Sequence, residues 1–182
     1  MKSALALVAI GVLAMLAEGA MTLAVPDALL PNVALVVSAA AALFLGGASA
    51  LLVVAALGFA SDLLAGAPLG LGVLSLLVPF AVTRIANGSL ELRHGASEAA
   101  LVALLTPVAA LVMAALLRQG GPAAWPGLST WIGLALQAGV NALVAPAACR
   151  LAETVASAAG ELDPTRRGVA YVGAAPWAAS RR

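Results

Sequence analysis

The sequence predicts an all-α membrane protein with six transmembrane helices and with both termini on the cytoplasmic side. Hydrophobic residues make up 63% of the 182 residues and charged residues 9%, and the mean hydropathy is +1.09. These values lie far outside the range of a soluble globular domain. The apolar residues form runs long enough to cross a bilayer, and the basic residues collect on one predicted side of it.

The first predicted span covers residues 3–24, about 22 residues, which reach ~33 Å at ~1.5 Å per residue and so cross a ~30 Å hydrocarbon core. The same stretch resembles a secretory signal, because Lys2 precedes an apolar run that leads to small residues near Ala20. The apolar character continues past Glu18 to Val25. We therefore interpret the stretch as an uncleaved span.

Residues 33–64 form one apolar run of about 32 residues, which as a single helix would measure ~48 Å and overshoot the bilayer core. The pair Gly46 and Gly47 divides the run. Because adjacent glycines favour a turn, the sequence predicts two short spans, 31–45 and 48–64.

Three further spans are predicted at 67–86, 97–117 and 127–149. Each contains a proline at which we expect a kink: Pro79, Pro107 and Pro146. Residues 151–182 are more polar. The predicted organisation is therefore a transmembrane domain over residues 1–150 and a cytoplasmic tail over residues 151–182.

The basic residues predict the orientation of the six spans. Six spans place four segments on one side of the membrane: the N-terminus, the 46–47 turn, the 87–96 loop and the tail. The opposite side carries a single basic residue, Arg118. The shared side holds Lys2, Arg84, Arg93, Arg150, Arg166, Arg167, Arg181 and Arg182. By the positive-inside rule this side is cytoplasmic. A five-span arrangement with an outer N-terminus misplaces only Lys2, but it requires the overlong helix.

Glu18, Gln137 and Asn141 are the candidate intramembrane polar sites. An ionised Glu18 in the outer third of the first span costs a few kcal/mol unless it is paired, hydrated or neutral. It is either an inward-facing interaction site or a water-exposed structural residue. Gln137 and Asn141 lie one turn apart, so we expect both to hydrogen-bond to a neighbouring helix, with ligand binding as the alternative.

The sequence contains no catalytic or cofactor-binding motif. A single histidine, His94, and a single cysteine, Cys149, argue against a histidine-based or cysteine-rich metal centre and against an internal disulfide. An aspartyl pair of Asp27 and Asp62 is conceivable, but the two carboxylates would have to approach to ~3 Å. We therefore predict no catalytic residue, metal, cofactor or nucleic-acid partner.

Asp62 is the carboxylate of an otherwise apolar segment, GFASDLLAGAPLGLGVL, residues 58–74. It lies at the C-terminal end of the third span, where the helix dipole disfavours an acid by about 0.3–1 kcal/mol. A local partner must offset this. The favoured hypothesis is a cap in which Asp62 accepts the amides of Leu64 or Ala65; the alternative is a charge pair with Arg118 or with an arginine of a partner.

This segment resembles the central segment of the MreD family of bacterial cell-elongation proteins, in which a glycine-bearing helix leads into Asp-Leu-Leu, a small-residue turn and Pro-Leu-Gly. The similarity extends over residues 31–93. The chain departs from the family at the entry to the second span, where members commonly have Pro-Asp and this sequence has Pro31-Asn32. The residues that carry the motif are Gly58, Asp62, Leu63, Leu64, Gly66, Pro68, Leu69 and Gly70.

The resemblance implies a non-enzymatic scaffold in the bacterial cytoplasmic membrane. It implies binding to MreC, work with the RodA glycosyltransferase and a penicillin-binding transpeptidase, and a link to MreB through MreC or other membrane subunits. The fold is also similar to that of the substrate-binding subunits of vitamin transporters, which gives the alternative function. Such a carrier would need a closed pocket with several convergent polar groups.

Overall fold

The computed structural model describes residues 1–89, 95–119 and 127–162. These residues form six α-helices and a short 3-10 helix, Asp27–Leu29, between the first two. The α-helices are α1 (Lys2–Met21), α2 (Val33–Phe44), α3 (Gly47–Ala65), α4 (Leu71–Ser89), α5 (Gly95–Gln119) and α6 (Leu128–Ala158). The predicted all-α bundle of membrane type is confirmed.

Five segments are long and apolar enough to cross a membrane, and the apolar part of α4, Leu71–Asn87, is shorter. The predicted division of the long apolar run is confirmed, because α2 ends at Phe44 and α3 begins at Gly47. The three prolines lie inside α4, α5 and α6 as predicted. Arg93 and residues 163–182, which contribute to the charge count and the predicted tail, lie outside the described residues.

The helices run alternately between two ends of the bundle. We call the end with residues 22–32 and 66–70 the outer end, following the orientation that the charge distribution predicts, and the opposite end the inner end. Helix α2 lies at the centre, where it contacts the other five α-helices. Every one of its residues from Ala34 to Phe44 is buried.

The short length of α2 has a structural consequence. Its 12 residues span only ~18 Å, which is shorter than a ~30 Å bilayer core. The unpaired amides and carbonyls of a helix end need partners, and hydrocarbon supplies none. Other helices must therefore provide side chains to both ends of α2.

Helix α6 extends nine residues beyond Cys149, where the sequence predicts the sixth span to end. The charges at Arg150 and Glu153 indicate a boundary, but both side chains lie on the exposed face of the helix. Ala152 and Ala156 on the opposite face are fully buried. Residues 151–158 are therefore part of the bundle, although the sequence predicts that the tail begins at 151.

Candidate functional site

The segment that carries the family resemblance folds into one unit, the outer hairpin, which comprises residues 58–74. It consists of the end of α3, a turn at residues 66–70 and the start of α4. Gly66 ends α3 with a φ of 63°, a left-handed conformation that favours glycine. The amide of Ala67 donates to the carbonyl of Asp62 at 3.0 Å, which closes the helix end.

The Asp62 carboxylate joins the two arms of the outer hairpin. Its Oδ2 accepts the amide of Gly70 and its Oδ1 accepts the amide of Gly72, each at 2.7 Å. Gly70 directly precedes α4 and Gly72 lies in its first turn, where a negative charge is favoured by the helix dipole. The side chain is only 2% exposed. Asp62 therefore caps the following helix from the last turn of the preceding one.

This arrangement corrects the predicted partners of Asp62. The sequence predicts a cap on Leu64 or Ala65, whereas the bonded amides lie five to eight residues further along, at Gly70 and Gly72. The same bonds explain why α4 begins at Leu71 and not at the predicted residue 67, since residues 67–70 form the turn that brings these amides to the carboxylate. The hydrogen bonds of Asp62 thus go to backbone amides and not to Arg118.

Two glycines allow this close approach of α3 and α4. A Cβ on Gly58 would lie 2.6 Å from the Cα and the amide nitrogen of Val73. A Cβ on Gly72 would lie 2.5 Å from the carbonyl oxygen of Gly58 and 2.7 Å from Oδ1 of Asp62. Any larger residue at either position collides with backbone. Gly72 is a structural residue that the list of motif residues missed.

The large side chains of the outer hairpin point away from the bundle. Leu63 is 60% exposed, Leu64 52% and Leu69 61%, and Pro68 is also exposed. Because Asp62 fixes the backbone beneath them, these side chains form a defined apolar surface at the outer end. Such a surface fits contact with lipid or with another transmembrane helix.

A second group of polar residues, the interior polar cluster, comprises Glu18, Asn32, Thr106 and Asn141. Three of its members accept backbone amides at the N-terminal end of α2, and Thr106 bonds to one of these three. Asn32 caps the helix by accepting the amide of Leu35 at 3.0 Å, Oδ1 of Asn141 accepts the amide of Asn32 at 2.7 Å, and Oε2 of Glu18 accepts the amide of Val33 at 3.3 Å. Asn141 also donates to Oγ1 of Thr106 at 2.9 Å.

The interior polar cluster shows where the three predicted intramembrane polar residues lie. Asn141 is fully buried and bonds to other helices as predicted. Glu18 is half-buried, and its carboxylate accepts the amide of Val33 at the start of α2. Gln137, one turn before Asn141, is half-buried and makes no side-chain hydrogen bond within the described residues.

The C-terminal end of α2 is held by α4. Nη1 of Arg84 donates to the carbonyls of Ala42 and Leu45 at 3.1 and 3.0 Å, and Nδ2 of Asn87 donates to the carbonyl of Leu43 at 3.3 Å. A cation beside the last carbonyls of a helix is favoured by the helix dipole. Arg84 thus has a structural role in addition to its place in the charge count.

Glu161 holds the inner end of α1. It accepts the Met1 ammonium and the amides of Lys2 and Ser3, and the Ser3 hydroxyl donates to Oε2. These bonds lower the pKa of Glu161 from 4.5 to about 2. The bond from the Met1 ammonium has the largest effect, and the bond from the Ser3 hydroxyl has the next largest. Nothing in the sequence indicated this contact, because Glu161 lies 158 residues from Ser3.

The remaining predicted features are placed as follows. Arg118 is exposed in the last turn of α5. No group of three or more histidine, cysteine, aspartate or glutamate side chains that could hold a metal ion occurs in the part of the chain that the structure describes. Comparison of the chain with protein-family models, curated proteins and solved structures finds no match.

Proposed function

We propose that this protein is a non-enzymatic scaffold subunit of the bacterial cell-elongation complex and that the outer hairpin is its docking surface for MreC. One observation carries the proposal: Asp62 binds the amides of both Gly70 and Gly72 while Leu63, Leu64 and Leu69 are exposed. The residues that resemble the MreD family are thus the ones that build one rigid, outward-facing unit.

A scaffold requires a stable surface more than it requires reactive groups. The outer hairpin supplies one, because its backbone is fixed by a buried carboxylate and its apolar side chains are displayed on that backbone. Association of helices in lipid depends on close packing and on interhelical hydrogen bonds, since the surrounding hydrocarbon removes the hydrophobic driving force. A preformed surface lowers the entropy lost on docking.

The proposed setting is the bacterial cytoplasmic membrane, in which the chain is a multi-pass protein. There it would support RodA and a penicillin-binding transpeptidase in lateral wall synthesis, with a link to MreB through MreC or other membrane subunits. These roles rest on the resemblance. The outer hairpin adds the residues at which the first partner contact is expected.

A vitamin carrier is the alternative function. The hydrogen bonds of the interior polar cluster argue against it. A carrier needs convergent polar groups that are available to a ligand. Here Glu18 and Asn141 accept backbone amides at the start of α2, and Asn141 donates to Thr106. These bonds use the interior polar groups to hold the bundle together.

Copurification in mild detergent tests the proposal. Recovery of MreC with the tagged protein supports it, and recovery of a transporter ATPase with its coupling subunit supports the carrier. The double variant Leu63→Ala/Leu69→Ala should lose MreC. Leu143→Ala is the matched control, because Leu143 is 82% exposed on α6, away from the outer hairpin.

Depletion in the parent cell gives a second, independent test. If the parent cell is a rod, loss of the protein should widen or round it, because elongation would lose a subunit while division continues. Normal shape together with a growth defect that a vitamin rescues would reject the scaffold.

A further inference from the structure

The outer halves of α5 and α6 enclose a small open cleft. Its volume is about 110 Å³, and it is lined by Ala110, Leu111, Ala114, Thr130, Trp131 and Leu134. All but Thr130 are apolar, and the alanines on α5 leave the space that larger side chains would fill. The cleft therefore suits a hydrocarbon chain better than a polar solute.

The surface around the cleft faces lipid. Ile132 and Leu136, on the neighbouring face of α6, are 56% and 50% exposed. An apolar helix surface of this kind lies in the hydrocarbon region. Trp131, which is 41% exposed, lies in the first turn of α6, where an amphipathic ring suits the membrane interface. The molecule that reaches the cleft most readily is thus a membrane lipid.

A basic residue follows the cleft along α5. Arg118 follows Ala114 by four residues, so it lies on the same face of α5, one turn closer to the outer end. The guanidinium has five N–H donors and can bind two phosphate oxygens at once. Thr130 adds an exposed hydroxyl at the rim. An apolar cleft one helical turn from a basic residue matches the two parts of a phospholipid.

We propose that this cleft binds one anionic glycerophospholipid, with an acyl chain against Ala110, Ala114 and Trp131 and with its phosphate on Arg118. The anionic headgroup is specified by charge, because a zwitterionic headgroup brings its own cation beside the guanidinium. A basic residue at the membrane surface favours an anionic lipid by about fivefold. The lipid would fill the groove between α5 and α6 whichever partner binds the outer hairpin.

Fluorescence quenching of Trp131 tests the site directly. Trp125→Phe and Trp177→Phe leave Trp131 as the one tryptophan in the full chain. The protein is reconstituted in phosphatidylcholine vesicles that contain increasing fractions of acyl-brominated phosphatidylglycerol or acyl-brominated phosphatidylcholine. We expect half-maximal quenching at an about fivefold lower fraction of the anionic lipid.

Two pairs of variants separate the site from the surrounding lipid. Arg118→Gln should abolish the preference for the anionic lipid, whereas Arg150→Gln, at the inner end of α6, should keep it. Ala114→Phe fills the cleft and should weaken quenching by both lipids, whereas Ala115→Phe, exposed on the adjacent face of α5, should not. Equal quenching by the two lipids, or a preference that survives Arg118→Gln, would overturn the proposal.

Discussion

The backbone amide of Asn32 donates to Oδ1 of Asn141 over 2.7 Å, which joins the start of α2 to the middle of α6. The two residues are 109 positions apart in the sequence, and Asn141 is fully buried. A helix that begins inside a membrane protein is stabilised only when another segment supplies its acceptors. Asn141 is such an acceptor here, together with Glu18.

Replacement of Asn141 by leucine should destabilise the bundle. Asn141→Leu leaves the buried amide of Asn32 without a partner, which costs about 1–3 kcal/mol. Thr106→Val removes one interhelical bond, for which about 0.6 kcal/mol is typical. Because both changes break the Asn141–Thr106 bond, the double variant should lose less than the sum of the two in unfolding titrations in mixed micelles.

Gln137→Leu is the matched control for this cycle. Gln137 lies one turn away on the same helix and makes no side-chain hydrogen bond within the described residues. Its replacement should change the free energy of unfolding by less than about 0.5 kcal/mol. Equal losses at positions 137 and 141 would show that helix polarity, and not the bond to Asn32, stabilises the bundle.

Substitutions at Asp62 should be graded. Asp62→Ala leaves the amides of Gly70 and Gly72 unsatisfied, which costs about 2–6 kcal/mol for the two buried donors. Asp62→Asn retains one oxygen and turns an NH2 group toward the second amide, so its loss should be about half as large. Thermal unfolding measured by circular dichroism in detergent gives the order wild type, asparagine, alanine.

The exposed Glu153→Gln serves as the control and should leave the melting temperature unchanged. If asparagine were as stable as aspartate, one oxygen would suffice for both arms of the outer hairpin. The structure argues otherwise, because each Asp62 oxygen has its own amide at 2.7 Å.

Alanine at Gly58 or Gly72 should separate α3 from α4. The added Cβ meets backbone atoms at 2.6 Å or less, and backbone cannot rotate away as a side chain can. We expect a loss at or above the upper end of the about 1–3 kcal/mol that overpacking costs. At Gly139 of α6 a Cβ meets nothing within 4 Å. Gly139→Ala should therefore leave stability unchanged or raise it by up to about 1 kcal/mol, and unfolding titrations compare the three variants.

The contact of Glu161 with α1 should depend on pH. Its pKa is lowered from 4.5 to about 2 in the folded protein, so the stabilisation is present above pH 4.5 and is lost as the pH falls toward 2. Amide hydrogen exchange in the first turn of α1 should be slower in wild type than in Glu161→Gln at neutral pH. The difference should vanish near pH 2, and a difference that is independent of pH would contradict the ionic contact.

The predicted orientation can be tested by cysteine labelling after Cys149→Ala. Leu23→Cys, at a position that is 92% exposed at the outer end, should react with an impermeant thiol reagent on intact cells. Glu153→Cys, near the inner end of α6, should react only after the membrane is opened. The reverse pattern would invert the bundle.

The sequence predicted those features that depend on neighbouring residues. The Gly46–Gly47 break follows from the length of the apolar run, and the boundaries of α1 and α5 follow from hydropathy. The need of Asp62 for a local partner also followed from its place at a helix end. The identity of its partners, the amides of Gly70 and Gly72, could not be predicted, because their position depends on the conformation of the turn at residues 66–70.

Contacts between distant segments were beyond prediction from one sequence. The sequence predicts that Arg84 is a cytoplasmic charge, whereas in the structure it donates hydrogen bonds to the carbonyls at the end of α2. Glu161 reads as part of a polar tail, yet it holds the start of α1. For Arg84 the available signal is the short length of α2, which requires partners at the helix ends without identifying them; for Glu161 the sequence contains no such signal.

The 109-residue separation of Asn32 and Asn141 also sets an order of events during synthesis. At about 5–20 residues per second, Asn141 leaves the ribosome about 5–20 s after Asn32. By the end of that interval the first five helices have been made, while α2 still lacks the Asn141 acceptor at its start and the helix that covers one of its faces. We therefore expect the start of α2 to become fully hydrogen-bonded only after α6 has been inserted.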